Sequence, residues 1–357
     1  MKKLFALVLV LAMCLSITAC GSESTATTPA ATTPETTAPA ATTPDASIPA
    51  TTPSADKPIR MLYAVTTMTS NYFNDSYNAF KPIMAENGFE IVMDAPPQKT
   101  AEAQLAHLEN AITSGEWDVI LCYADVPEAM KSIVPLADQN GVKVIGYCQN
   151  AQTNMGHIYY GTDTTQQGEM CAQMAIDYVD HHPELYAEFD ENHKIPYAIM
   201  ANYDNPQVNA RNEASKALLE KDGRFEEVFE QKVTNQEEGM AFGENLAITY
   251  PDIKIILGAS DSTALSVMEA MDIAGYGDDK SVAIFSHDCV TKTRESIRNG
   301  GLLRGSGYAP YEVVAQDIMN VARKLLAGEE FDLNNMPYMH CYGITIENID
   351  EFFPDGK

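Results

Sequence analysis

Positive charge is scarce in this sequence. Its 23 lysines and arginines face 50 aspartates and glutamates, for a formal net charge of −27 over 357 residues. Nucleic-acid phosphates require basic patches, so that class of partner is excluded. Electrostatic adhesion to anionic lipid is excluded on the same ground. What remains is a soluble, self-repelling surface, or an acidic face that meets a basic partner. Cysteine pairing is also missing. Beyond position 20 there are Cys122, Cys148, Cys171, Cys289 and Cys341, an odd set with no Cys-x-x-Cys spacing, which indicates neither a disulfide framework nor a metal site. Cys122 and Cys148 fall near the ends of two predicted strands and either pair or stay small buried thiols. The sequence holds no Gly-x-Ser-x-Gly elbow and no His-Glu-x-x-His helix, so the common exported hydrolases are not indicated. His181-His182, beside Pro183, reads as a helix-end pair. His287-Asp288 is the remaining acid/base candidate, with no nucleophile near it in sequence. The expectation is a protein with no catalytic residues, no cofactor and no metal.

Long apolar runs are absent except at the start. Lys2 and Lys3 precede an apolar stretch from Leu4 to Leu15, shorter than the roughly 20 residues that span a bilayer. A basic start, a short apolar core and a small residue before the cleavage point make an export signal over residues 1–19. The ending Leu15-Ser16-Ile17-Thr18-Ala19-Cys20 resembles the lipobox of bacterial lipoproteins, which implies lipidation of Cys20 and an extracytoplasmic, membrane-anchored location. Residues 20–57 follow as a tether. They consist almost entirely of Thr, Ala, Pro and Ser, in repeats such as Ala41-Thr42-Thr43-Pro44 and Thr51-Thr52-Pro53. Such a segment has too little apolar surface to offset the entropy of ordering, and its prolines keep it extended.

After Lys57 the texture changes. Strands are predicted at Met61–Val65, Glu90–Met93, Val119–Tyr123, Val142–Gly146, Tyr197–Ala201, Glu227–Phe229, Ile253–Gly258, Val282–Phe285, Leu302–Gly305 and Tyr342–Ile346. Between them, apolar residues recur at helical spacing in Ala101–Thr113, Thr164–Val179, Ser262–Ala274 and Tyr311–Leu326. Pro82 is expected to kink the first helix or delay its start. Strand–helix alternation predicts parallel sheets covered on both faces, in a chain of about 300 residues that can fill two cores. Ligands of such sheets bind beyond the carboxyl ends of the strands. The loops to search are therefore 66–73, 123–127, 147–150, 202–211, 259–262, 286–289 and 306–310.

Those loops are polar and aromatic. Ser70, Tyr72 and Phe73 combine a hydroxyl with flat rings suited to sugar C–H faces or bases, although the two rings also suit packing at a helix start. Asp261 or Ser260 is placed to cap the following helix. Asp288, at a strand's carboxyl end, suits either two ligand hydroxyls or a helix cap. Arg211 offers a fork for ligand oxygens or a surface ion pair.

Taken in order, these residues carry a resemblance. Ser70-Asn71-Tyr72-Phe73, Gly161-Thr162-Asp163 with Gly168, Arg211, Ser260-Asp261-Ser262-Thr263-Ala264-Leu265, Ser286-His287-Asp288, Asn299-Gly300-Gly301-Leu302 and Tyr308-Ala309-Pro310 resemble the ribose-type periplasmic binding proteins, the type I substrate-binding proteins of ABC importers. The resemblance covers about Ile59 to Ile346. It implies an α/β fold of two doubly wound parallel-sheet lobes joined by a three-segment hinge. The lobes are expected at 58–162 plus 309–337 and at 163–308 plus 338–357, with crossings near Gly161–Asp163, Gly307–Pro310 and Met336–Tyr342. It implies a ligand site of Ser70, Tyr72, Phe73 and Gln149 from the first lobe, Arg211, Ser260, His287 and Asp288 from the second, and Tyr308 at the hinge. One departure bears on specificity. Where ribose-type proteins usually carry Asp-Arg after the fourth strand, this chain reads Cys148-Gln149. The expected ligand is therefore a small polar molecule, whether sugar, polyol, nucleoside or signalling molecule. The expected partner is an ABC permease, or alternatively a chemoreceptor or kinase ectodomain for which a monomeric protein acts as sensor.

Overall fold

A computed structural model describes residues 57–356 except 151, 333–335 and 337. The expected export signal, Cys20 and the expected tether up to residue 56 lie outside the described residues.

The chain opens with β1 (Ile59–Ala64), α1 (Asn71–Glu86), β2 (Phe89–Asp94), α2 (Ala101–Thr113), β3 (Val119–Cys122), α3 (Pro127–Met130), α4 (Ile133–Asn140), β4 (Lys143–Tyr147) and β5 (Ile158–Thr162). It continues with α5 (Thr164–His181), β6 (Ile195–Ala201), α6 (Pro206–Asp222), β7 (Phe225–Lys232), α7 (Gln236–Thr249), β8 (Ile255–Leu257), α8 (Asp261–Ile273), β9 (Ala283–His287), α9 (Thr291–Asn299) and β10 (Leu303–Tyr308). It closes with α10 (Tyr311–Leu326), β11 (Tyr338–Met339), β12 (Tyr342–Thr345) and α11 (Ile349–Phe352).

Two six-stranded sheets result, ordered β11-β5-β4-β3-β1-β2 and β12-β10-β9-β8-β6-β7. All rungs are parallel except those between β10 and β12. The central strands are buried on both faces, as in β3, where Val119, Ile120, Leu121 and Cys122 are all covered. Their even numbers face one apolar layer and their odd numbers another: Leu62 and Ile120 pack with Leu108 and Ile112 of α2, while Met61 and Leu121 pack with Phe80 of α1 and Ile318 of α10. The second lobe repeats the plan, with one core under α5 and α6 and another under α7 and α8. In both sheets the first strand of the lobe lies between the second and third, so the connections reverse direction beside it and leave a crevice at the carboxyl ends.

The chain passes from one sheet to the other at Asp163, at Ala309–Pro310 and at His340–Cys341. Tyr338 pairs with Gly161 and Met339 with Thr162, so these two residues belong to the first sheet; the expected start of the last second-lobe segment at 338 moves beyond Met339. At the first passage glycine is required by space, since a Cβ on Gly161 would lie 1.8 Å from the Gln149 carbonyl oxygen. Gly168 is constrained in the same way: a Cβ there would meet the Arg211 carbonyl oxygen of α6 at 2.0 Å. Pro82 does not delay α1, which starts directly after Ser70 and continues past it. Both Pro82 and Asn78, whose carbonyl loses its helical donor, are exposed, so water can satisfy that carbonyl. Among the described residues no helix is long and apolar enough to cross a membrane.

Candidate functional site

The carboxyl ends of both sheets converge on one cavity of about 540 Å³ between the lobes. The loops after β1, β3 and β4 line it with Thr66, Ser70, Tyr123 and Cys148; those after β6, β8 and β9 line it with Asn202, Ser260 and Asp288.

The first-lobe wall is aromatic and internally braced. Phe73 packs edge-on against Tyr63 and Tyr123, with ring centroids 6.1 and 5.0 Å apart. The Tyr72 hydroxyl lies 2.7 Å from that of Tyr147 and 3.6 Å from Cys148 Sγ. Tyr72 and Phe73 pack the start of α1, as one reading of them expects, and they also line the cavity. Burial pushes the Cys148 thiol up to about 12, which keeps it protonated and weakly nucleophilic at neutral pH. The five described cysteines are all free, so Cys122 and Cys148 do not pair.

The second-lobe wall hangs on Asp261. This carboxylate is completely buried. It accepts from the Ser286 and Ser306 hydroxyls and from the Val290 amide. It is therefore a fastener between the loops after β8 and β9 and strand β10, and not the helix cap its position suggests. Ser260 occupies the cap position and makes no side-chain cap bond. Desolvation raises the Asp261 carboxyl to about 6, against the lowering effect of its donors. Asp288 is held at φ 107° and Cys289 at φ 49°, a conformation that costs free energy for residues with a Cβ and is typical of ligand sites. The Asp288 amide donates to Gly307 O at 2.8 Å, leaving its side chain at the cavity. Burial holds that carboxyl well above its ordinary range; the neighbouring Asp261 adds to the effect and Arg211 opposes it.

Arg211, on α6, makes none of the ion pairs found among the described residues. Its Nη1 donates to Ala259 O at 3.1 Å, which aims the guanidinium along the cavity wall. His287 is buried, and desolvation with the nearby Arg211 lowers it well below its usual value, so the imidazole is neutral. No side-chain hydrogen bond joins His287 to Asp288 among those found; its Nδ1 is unpartnered, which speaks against a catalytic dyad.

Of the nine ligand residues expected from sequence, Ser70, Tyr72, Phe73, Arg211, Ser260, His287 and Asp288 line the cavity. Gln149 and Tyr308 do not. The Gln149 side chain folds back over Gly146, and its Oε1 accepts from the Met155 amide at 3.1 Å. The Tyr308 ring turns the other way, onto Tyr311 and Phe353, and leaves Gly307 at the cavity surface.

The sequence reading missed Thr162, Gln167, Asn202 and Tyr311, which also line the cavity. Six of the residues that line the cavity each carry a buried polar atom with no hydrogen-bond partner: Thr162 Oγ1, Gln167 Oε1, Asn202 Oδ1, Arg211 Nε, His287 Nδ1 and Tyr311 Oη. Buried polar groups are rarely left unpaired, and each carries a desolvation cost of about 1–3 kcal/mol. Thr162 and Tyr311 belong to the first lobe and the other four to the second. A molecule that satisfied all six would have to touch both. Among the described residues no group of His, Cys, Asp and Glu is arranged to hold a metal.

Residues 62–330 match the family model of the periplasmic binding protein domain, and the chain belongs to that family. Its members are substrate-binding proteins, not enzymes, and work outside the cytoplasm. The chain is 26% identical over 189 residues to the ABC transporter periplasmic-binding protein YphF of Escherichia coli K12, covering 48% of this chain and 57% of that protein. It is 22% identical over 277 residues to the ribose import binding protein RbsB of Bacillus subtilis 168, covering 75% and 81%. The fold is also that of an ABC transporter periplasmic solute-binding protein from Actinobacillus succinogenes 130z with bound D-allose, at TM-score 0.70 and 15% identity over 82% of this chain and 100% of that one.

Proposed function

We propose that this protein captures a small, uncharged, polyhydroxylated ligand, a sugar or polyol, between its two lobes and delivers it to an ABC permease. The observation that carries this reading is the set of six unpartnered polar atoms around one cavity, divided between the lobes. A hydroxyl both donates and accepts, so a ring of hydroxyls suits a wall that mixes the Gln167 and Asn202 carbonyls with the Arg211 N–H. At the rim Lys99 pairs with Asp125 at 3.3 Å, so their charges cancel there, which suits a ligand without net charge. Tyr72 and Phe73 present rings to its C–H faces. Closure is stabilised only by contacts made to both halves at once. Gln149 and Tyr308 act in this scheme as supports for the first and second crossings.

In the same reading the protein is a monomer, its first 19 residues are removed, and lipid on Cys20 holds it to the membrane. Residues 21–57 then keep it near the permease and raise its effective concentration there. Isothermal titration against D-ribose, D-allose, myo-inositol and adenosine tests the ligand class. Micromolar or tighter binding of a sugar or the polyol is expected, and binding of adenosine alone would replace the reading. Mass spectrometry of the mature N-terminus tests the anchor: an unmodified Cys20, or a first residue elsewhere, would remove it.

A further inference from the structure

Helix α9 begins without a cap of its own. Val290 holds the cap position and offers no side-chain acceptor, and the first turn of α9 has no acidic residue. The missing acceptor comes from the other lobe. Asp75, on α1, accepts from the Thr291 amide at 3.2 Å and lies 3.4 Å from the Thr291 hydroxyl. It makes no ion pair among those found in the described residues. The preceding amide, Val290 N, is taken within the second lobe by Asp261 at 2.8 Å. Thus two neighbouring amides at one helix start are satisfied by two carboxylates, one from each lobe. A second seam joins the lobes: Asn205 Nδ2 donates to the Tyr123 hydroxyl at 3.3 Å and Gln207 Nε2 to Thr153 Oγ1 at 3.2 Å. That seam differs in kind. Asn205 also caps its own helix through Oδ1, so α6 stays capped if the lobes part. α9 does not.

We infer that Asp75 is a positioning residue for closure, a helix cap supplied across the cleft that favours the joined form of the lobes before any ligand contributes. The inference rests on the reading of two lobes that trap a ligand. When the lobes separate, the α9 amide and its positive dipole end lose an anionic partner; when they meet, both regain it. Asp75 does not line the ligand cavity; it acts on affinity through the closing equilibrium and, by its charge, on the neighbouring Asp288 and Tyr311.

The test uses the mature chain with Asp75→Ala, Asp75→Asn and Thr291→Pro. Proline fits the first helical position and removes the donor N–H, and the extended backbone of Val290, φ −66° and ψ 162°, is the conformation that precedes proline. Amide exchange by NMR without added solute should show Thr291 exchanging about 3- to 30-fold faster in Asp75→Ala, the range expected for a lost helix cap, with Val290 unchanged. The scattering radius of gyration should rise in parallel. Asp75→Asn, which keeps an acceptor oxygen, should fall between wild type and Asp75→Ala. Combining Asp75→Ala with Thr291→Pro should add little to the expansion seen in either single variant. If D-allose or D-ribose binds wild type, its affinity should fall by the same factor in Asp75→Ala. Unchanged Thr291 exchange and an unchanged radius would overturn the inference. Failure of both sugars to bind wild type would count against the sugar reading alone, and exchange and scattering would still decide the role of Asp75.

Discussion

The two walls of the cleft are built on opposite principles. On the first lobe, the side chains that face the cavity are also the side chains of the core: Phe73 touches Tyr63 and Tyr123, and Tyr72 is tied to Tyr147. On the second lobe, the groups that fasten the loops are set apart from several of the side chains that face the cavity. Asp261, Ser286 and Ser306 fasten the loops from behind, and Asn202, Arg211 and His287 keep polar atoms uncommitted in front. One wall offers shape that folding has already fixed. The other carries four of the six unpartnered polar atoms, against two, Thr162 and Tyr311, on the first.

The largest expected effect comes from breaking the first wall. Phe73→Ala should lower stability by about 3–5 kcal/mol, the usual loss for a buried aromatic, seen as a lower urea midpoint with or without sugar. Next is the fastener of the second wall. Burial raises Asp261 to about 6, above the unfolded value of about 3.9, so the folded state binds its proton more tightly. Its contribution to stability is complete below about pH 4 and is lost as pH rises through about 6, a swing of about 3 kcal/mol. Urea midpoints of wild type relative to Asp261→Asn should therefore decline between pH 4 and 7, and a flat difference would show that the carboxyl is not desolvated. Arg211→Ala should weaken sugar binding about 100-fold, the equivalent of one charged hydrogen-bond set, while moving stability by less than about 1 kcal/mol. A large stability loss here would erase the distinction between the walls. Smallest is Tyr72→Phe, expected to cost about 1 kcal/mol through the bond to Tyr147, read by thermal unfolding.

Much of the fold was legible because its strands are short buried runs between periodic helices. Ala101–Thr113 and Tyr311–Leu326 coincide with α2 and α10, and each of the ten predicted strands overlaps an observed one. The two strands missed were β5 and β11. β5 has five residues, among them Tyr159, Tyr160 and Gly161, after an irregular loop, and β11 has two, too few for a period to show. The site was legible as loops and only partly as side chains. Asn202 fell in a loop marked for search, but nothing local says that its carbonyl ends unpaired. Gln167 and Tyr311 lie on helices, where a ligand role shows only once the helix N-terminus is known to face the cleft. Gln149 and Tyr308 failed for a geometric reason: a residue at a strand end can turn to either side, and the choice depended on the room over Gly146 for one and, for the other, on Phe353, far along the chain.

The closing segment of the chain carries a consequence for biogenesis. β11 forms the border of one sheet and β12, only two residues later, the border of the other. A nascent or clipped polypeptide that stopped after Leu326 would leave β5 and β10 as bare margins, both competent to recruit strands from neighbouring molecules. Neither half is complete until this stretch is in place, so a molecule that lacks it is the one most exposed to misassociation.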